Sequence, residues 1–351
     1  MVRSSGRPVT LKDVAERVGV TAAAASMALA GHSRISAATT EKVRAAAEEL
    51  GYVPSSAAKA LRIQKSDAIA LIVPNSTQHV FGHSYFMHVL TGVSSVANDR
   101  DVQVLISTSA SEESGLTAYE RVMRSRTADG AIVTSAAIAD PNIERLAASG
   151  LPVVLIGNYP DLRSATSVGV DDVAASRQIT EHLLEAHGRN RLLHVTGPLD
   201  HQTAVDRRRG FLDAVEAHGA QGRVVEGDFS EQSGADALAG ADLGGTGVDG
   251  VVFANDDMAF GGLQLLRGRG LRVPDDVAVV GFDDFGLSRV TDPGITTVHV
   301  PAERMARIAT ERLFALIERD HDGSTRDEVP VHLVLRESCG CPRQDVALLR
   351  E

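Results

Sequence analysis

From Ala68 onward, short apolar runs alternate with amphipathic stretches, and this alternation constrains the fold of the 351-residue chain more than any other feature. AIALIV (68–73), VQVLIS (102–107), GAIVT (130–134) and PVVLIG (152–157) are buried-strand candidates, with helices near 85–98, 112–125 and 141–149. A second series follows: LLHVTG (192–197), VVEGD (224–228), GVVFAN (250–255) and VAVVGF (277–282). Its helices lie near 172–186, 203–218, 230–241 and 257–269. Strand–helix repetition of this kind gives parallel sheets covered on both faces. Two series imply an α/β chain with two doubly wound subdomains, each binding ligands beyond the carboxyl ends of its strands.

The stretch before this region is built differently. Thr10 and Asp13 make a helix-start signal, and Leu11, Val14, Ala15 and Val18 fall on one helical face. Gly19 ends that helix, because a residue without a Cβ takes the left-handed conformation needed there. Thr21 caps a second helix, Gly31 closes it, Ser36 caps a third and Gly51 closes that one. Two short helices joined through a glycine turn are the helix-turn-helix pattern, whose second helix enters the DNA major groove. A small helical bundle with no DNA role has the same outline, so the pattern needs support. Ala22 to Leu29 has almost no large side chains: a poor core element, but one that can approach another surface closely. Charge also divides along the chain. Residues 1–65 carry ten Lys/Arg against five Asp/Glu, while the remainder has a net charge of −16 within a total of −11. A basic head on an acidic body points to an anionic partner for the head alone.

After the third helix, Pro54 pushes Val53 out of the helical region. Ser55 to Arg62 then offers barely two turns, too few for a stable isolated helix in water. With aromatics at 4% and no tryptophan, the cores must be built on Ala, Val, Leu and Ile. Two cysteines exclude a disulfide framework and suit a reducing compartment. MVRSSGRPV lacks the apolar stretch of a signal peptide and no run approaches a membrane span, so a cytoplasmic protein with no membrane partner is expected.

Several positions offer chemistry. His79 and His83 have the i, i+4 spacing of a helical metal site, with His88 nearby, but Phe81-Gly82 is expected to interrupt the helix and no clear third ligand follows. Cys339 and Cys341 form an isolated C-x-C, read as two free thiols. GADLGGTG (240–247) lacks the Lys-Ser/Thr of a phosphate loop and is expected to be a flexible surface loop. Nothing assembles a nucleophile with its base, so no enzyme, metal or cofactor is expected. Asn255-Asp256 and Asp283-Asp284 end two strands, where capping of the next helix is the first expectation.

VTLKDVAERVGV, the GHSRIS turn, EELGYVPSSAAKALR and, far downstream, FANDDMAFGGLQLLRGRGLRVPDDVAVVGFDD resemble the LacI/GalR family of bacterial transcription regulators along nearly the whole chain. The resemblance implies a lac-repressor-like arrangement. It comprises a helix-turn-helix head (1–54), a hinge helix that orders on DNA (55–65), and an effector-binding and dimerisation core (66–351) like the periplasmic binding proteins. In the core, the first subdomain would hold about 66–165 and 298–326, the second about 166–297 and 327–341.

It also implies roles for residues. Thr21, Ala22, Ala23 and Met27 would face the major groove, with Ser26 beside them, and Lys12, Arg34 and Ser36 would lie at phosphates. Thr10, Ser55 and Ala58 complete the DNA set, with Leu61 as an apolar wedge in the minor groove. Met27 stands where many relatives place a guanine-gripping arginine, and Ala22 and Ala23 where larger polar readers are frequent. Asn75, Arg207, Asn255 and Asp283 would bind the effector, with Arg208 and Arg209 competing for the arginine role. The stretch from Asn75 to Tyr85 is longer than in relatives, and its histidines are expected to border the effector cleft. The function implied is a sequence-specific repressor controlled by a small molecule, a sugar or sugar derivative. It would act as a homodimer on operator DNA, since the tail PRQDVALLRE is too short for a tetramerising zipper. The alternative is a ligand-binding protein of periplasmic type without a DNA role, against which the head and the missing signal peptide count.

Overall fold

A computed structural model describes residues 9–52, 66–109, 116–162, 165–319 and 324–342, without the side chains of 77–79 and 116–117. The chain divides into two compact units, Met1–Ser66 and Asp67–Glu351. The stretch expected to form the hinge, with Ser55, Ala58 and Leu61, and the tail from 343 lie outside the described residues.

The described residues of the head form three helices: α1 (Leu11–Val18), α2 (Ala22–Leu29) and α3 (Ala37–Leu50). The Asp13 carboxylate accepts from the Thr10 amide and hydroxyl, both at 2.7 Å, which fixes the start of α1. Gly19 at φ 78° turns the chain out of α1, and Thr21 Oγ1 then accepts from the Ala24 amide at 3.1 Å. Val14, Ala15, Ala25, Ala28, Val43, Ala46 and Ala47 form the core of the head. Small residues suffice because three short helices leave little space between them.

The second unit holds two parallel sheets. The first has the order β11-β5-β4-β3-β1-β2, from β1 (Ala68–Ser76), β2 (Gln103–Ser109), β3 (Gly130–Thr134), β4 (Val153–Ile156), β5 (Thr166–Gly169) and β11 (Arg326–Glu328). The second has the order β7-β6-β8-β9, from β6 (Arg191–Thr196), β7 (Gln221–Glu226), β8 (Gly250–Phe253) and β9 (Ala278–Val280). β10 (Thr297–His299) pairs antiparallel with β12 (His332–Val334).

Alternate residues of β1 show why both faces are apolar. Ile69, Leu71 and Val73 pack into one cluster with α5 (Ser84–Asp99) and α12 (Ala302–Glu318). Ala70 and Ile72 join Tyr119 of α6 (Leu116–Ser125) and Ile143 of α7 (Pro141–Ala148). In the second sheet Val252 and Val280 face α8 (Asp172–Glu185) and α9 (Gln202–His218). Val251 and Val279 face α10 (Glu231–Ala239) and α11 (Asp256–Gly268). Each sheet is thus doubly wound, as strand–helix alternation requires.

The sheets correct four details of the sequence reading. β5 lies between β4 and β11, so the first sheet runs past 165 and takes the stretch expected to open the second subdomain. TSVG escapes notice because half of it is hydroxylic; its backbone nonetheless joins the ladder, with Ser167 N donating to Thr325 O at 2.9 Å. β11 likewise places 327 and 328 with the first sheet rather than the second. Phe81 and Gly82 close a short helix α4 (Thr77–Gly82) instead of interrupting it; the break falls at His83, ahead of α5. The glycine cluster is pinned, because the Arg191 guanidinium donates to the carbonyls of Gly245 and Gly247.

Candidate functional site

In the head, α2 has two faces. Ala25 and Ala28 are buried; Thr21, Ala22 and Ala23 are exposed, and Ser26 and Met27 are half-buried. Residues 22, 23, 26 and 27 share one side of a helix by its periodicity, so the positions expected to read bases form one surface. Thr10, Lys12, Arg34 and Ser36 are exposed as well. Thr21 and Ser36 also cap α2 and α3, Ser36 Oγ accepting from the Thr39 amide at 3.2 Å.

In the second unit, a cleft of about 140 Å³ is lined from both sheets. From the first come His83, Tyr85, Ser135, Asn158 and Tyr159; from the second Asp172, Gln202, Arg207, Phe229, Asn255, Asp257 and Asp283. Arg207, in the second turn of α9, is its centre. Its Nε donates to Asp172 Oδ1 at 2.8 Å, and its Nη1 to the Ala254 carbonyl and to Asp283 Oδ1 at 3.3 Å. The guanidinium lies over the Phe282 ring, 3.7 Å from its centroid. Gly210 makes this possible: a Cβ there would meet Val173 O at 2.1 Å, so only glycine lets α9 approach α8 this closely. Arg208 and Arg209 are exposed, and Arg207 is the one of the three that lines the cleft.

Asp283 follows β9 by three residues and has φ 110°, a conformation that costs a non-glycine residue about 1–3 kcal/mol and must be held by its surroundings. Burial pushes its carboxyl up to about 7; Arg207 opposes the shift, and Asp257 and Asp172 add to it. Burial also raises Asp172, against Arg207, and raises Asp256 well above the ordinary range with Asp283 adding to the effect. Tyr85 bonds Thr134 Oγ1 at 2.9 Å, and burial pushes its hydroxyl up to about 12, so it stays protonated. The site therefore presents a fixed guanidinium, a carboxyl poised near neutrality, and aromatic walls from Tyr85, Tyr159, Phe229 and Phe285. Donors, acceptors and apolar faces in one cleft suit a ligand with hydroxyls on a carbon ring.

The four residues expected at the effector fare differently. Arg207 and Asp283 meet in the cleft. Asn255 lines it too, but its side chain is already engaged: Oδ1 caps α11 by accepting from Met258 N at 2.9 Å, and Nδ2 donates to Phe229 O at 2.9 Å. Asn75 is not among the residues that line the cleft. β1 continues through Ser76, which holds Asn75 buried in the strand and away from the cleft lining, its Oδ1 without a partner among the described residues. His83 borders the cleft and bonds Asp257 at 3.1 Å, whereas His88 stacks on Phe285 and the His79 side chain lies outside the described ones. Asp172 was not singled out from the sequence. The pair Asp171-Asp172 after an apolar stretch reads as a helix start, and Asp171 does cap α8, accepting from Ala174 N at 2.9 Å. Asp172 is left over for the arginine.

Residues 10–55 match the family described as bacterial regulatory proteins, lacI family, and residues 180–339 match a periplasmic binding protein-like domain. The HTH-type transcriptional regulator CelR of Thermobifida fusca is 33% identical over 340 residues, covering 95% of this chain and 98% of its own. A solved complex of the transcriptional regulator CelR with cellobiose has a TM-score of 0.70 at 31% identity, covering 95% of this chain and 100% of that one. The lac repressor dimer bound to operator and the anti-inducer ONPF superposes with a TM-score of 0.83 at 26% identity, over 95% and 99% of the two chains. With both of its regions matched and a relative aligned nearly end to end, the chain belongs to the lacI family of bacterial regulatory proteins, a DNA-binding transcriptional regulator with a periplasmic-binding-protein-like core.

Proposed function

We propose that this regulator is a homodimeric repressor whose operator affinity is set by a sugar or sugar derivative held between Arg207, Asp283 and the aromatic walls of the cleft. The observation that carries the reading is the Arg207–Asp283 pair, because a cation and a carboxyl side by side supply both partners that vicinal hydroxyls need. The related CelR structure holds cellobiose. No helix among the described residues is long and apolar enough to cross a membrane, in keeping with a partner that is DNA. Isothermal titration of the full chain with cellobiose, gluconate and other small saccharides tests the reading, followed by operator titration with whichever binds. Failure of every saccharide to bind would overturn it.

The poised carboxyl makes binding depend on pH. Between its ordinary value near 3.9 and its folded value of about 7, Asp283 keeps a proton that the unfolded chain has released. Its contribution to stability therefore declines as pH rises through that window. Ligand hydroxyls donate to the ionised form, so saccharide affinity runs the other way and should rise from about pH 6 to about pH 8. Asp283→Asn should flatten this profile; an unchanged profile in the variant would assign the titration to another group.

On the DNA side, Met27, Ala22 and Ala23 offer apolar contact only, such as with thymine methyls, and forgo bidentate hydrogen bonds of about 1–3 kcal/mol each. The operator half-site should therefore lack a guanine requirement at the base pair facing Met27. Selection from random DNA with wild type and Met27→Ala checks this, and a guanine preference shared by both would refute it.

A further inference from the structure

The C-x-C near the C-terminus has company that its sequence neighbourhood does not show. His182 sits in the last turn of α8, and His187 follows just beyond the helix end. Cys339 ends a 3-10 turn (Glu337–Cys339), and Gly340, at φ 111°, turns the chain so that Cys341 returns to the same pair of imidazoles. His182 Nε2 lies 3.4 Å from Cys339 Sγ, 3.5 Å from Cys341 Sγ and 3.2 Å from His187 Nε2. His187 Nε2 is 3.4 Å from Cys341 Sγ. All four ligand atoms fall within 4.8 Å of one another.

A tetrahedral zinc ion, with bonds near 2.3 Å to sulfur and 2.0–2.1 Å to nitrogen, sets sulfur–nitrogen edges of about 3.6 Å and a nitrogen–nitrogen edge of about 3.3 Å. The four quoted separations match these edges within a few tenths of an ångström. We propose that His182, His187, Cys339 and Cys341 bind one zinc ion as a closed structural site.

Neutral imidazoles and thiols can share protons at such distances, so closeness alone does not decide. Convergence does: both histidines turn the same nitrogen, Nε2, into one cluster, His182 toward both sulfurs and His187 toward Cys341, and these four groups suffice for a four-coordinate shell. Cys339 is fully buried, where a thiolate needs a counter-charge, and two thiolates neutralise Zn²⁺. Thr296 Oγ1 lies 3.1 Å from Cys339 Sγ, placed to donate to that sulfur from outside the shell. Gly340 fits the same purpose, since a Cβ there would come within 3.0 Å of His187 Nδ1. Binding releases one proton from each thiol. Four protein ligands leave no open position, so the ion fastens rather than reacts. It joins the end of α8, whose first residue Asp172 holds Arg207, to the segment that carries Arg336.

The test uses the reduced full chain stripped of metal by chelator and titrated with cobalt(II) and then zinc. One cobalt per chain with tetrahedral d–d bands and a thiolate-to-cobalt charge-transfer band, displaced by zinc, is expected. Cys341→Ser should reduce that charge-transfer intensity by about half, one of two sulfurs being lost, and His187→Ala should weaken retention while keeping the band. Because the wild-type spectrum stands by itself, a variant that misfolds does not spoil the experiment. An octahedral spectrum without charge transfer, a Cys339–Cys341 disulfide in the reduced protein, or thiol reactivity unaffected by zinc would each overturn the proposal.

Discussion

Asp283→Ala is expected to abolish the effect of saccharide on operator affinity while leaving ligand-free operator binding close to that of the wild type. In the proposed complex Asp283 would give the ligand one charge-assisted bond, of a kind that contributes about 1.5–3 kcal/mol, so the saccharide dissociation constant should rise roughly 10- to 150-fold. Coupling between effector and DNA amounts to about 1–3 kcal/mol in systems of this kind, and it exists only while the ligand binds one arrangement of the core better than another. The cleft itself should survive the change. Arg207 keeps Asp172 at 2.8 Å and the Ala254 carbonyl, and it stays over Phe282. Operator titrations of wild type and variant, each with and without saccharide, give the answer. A variant that responds as the wild type does removes Asp283 from the effector site.

Much of this site was legible in the sequence, but unevenly, and the reasons are physical. Arg207 lay three residues before a glycine, and the structure turns that spacing into mechanics: Gly210 lets α9 touch α8, which brings the guanidinium to Asp172. Without the fold, Arg208 and Arg209 competed with Arg207 for the role, because helical phase within three consecutive residues depends on the neighbour they meet. Asn255 was ambiguous between cap and ligand, and it is first a cap. Strand β1 was plain as an apolar run; that it extends through Asn75 was not, because its last residues are polar and proline precedes them. The two histidines that face the C-x-C lie more than a hundred residues away from it, and no local spacing connects them. Sequence patterns report neighbours along a helix or strand well. They say little about which ends of distant elements converge.

Arg336 illustrates the same limit and gives the second large effect. Nothing in VHLVLRESCGCP marks this arginine as structural, yet it is buried, with Nη2 donating to Asp284 Oδ1 at 2.7 Å and Nη1 to the Ile295 carbonyl at 2.8 Å. Burial alone would raise the Asp284 carboxyl; bonds from His299, Arg336 and Ser288 outweigh it and hold the group well below the ordinary carboxylate range. Arg336→Met should therefore destabilise the core by about 3 kcal/mol, toward the lower end of what removing one partner of a buried ion pair costs. The lower end applies because Ser288 and Arg289 still reach the carboxylate, at 2.9 and 3.2 Å. The sign of the pH dependence follows from the depressed value. Asp284 contributes stability that is fully present above its unfolded value near 3.9 and is lost as pH falls through the folded one. In the variant the folded value moves up, so wild type and variant should differ most near neutrality and converge in acid. The double variant Arg336→Met, Asp284→Asn, which leaves no charge stranded, should regain part of the loss. Urea unfolding of the core, followed by tyrosine fluorescence near pH 7 and in acid, measures all three chains. A single-variant loss below about 1 kcal/mol at neutral pH, the range of exposed pairs, would mean that the C-terminal segment is not held by this pair.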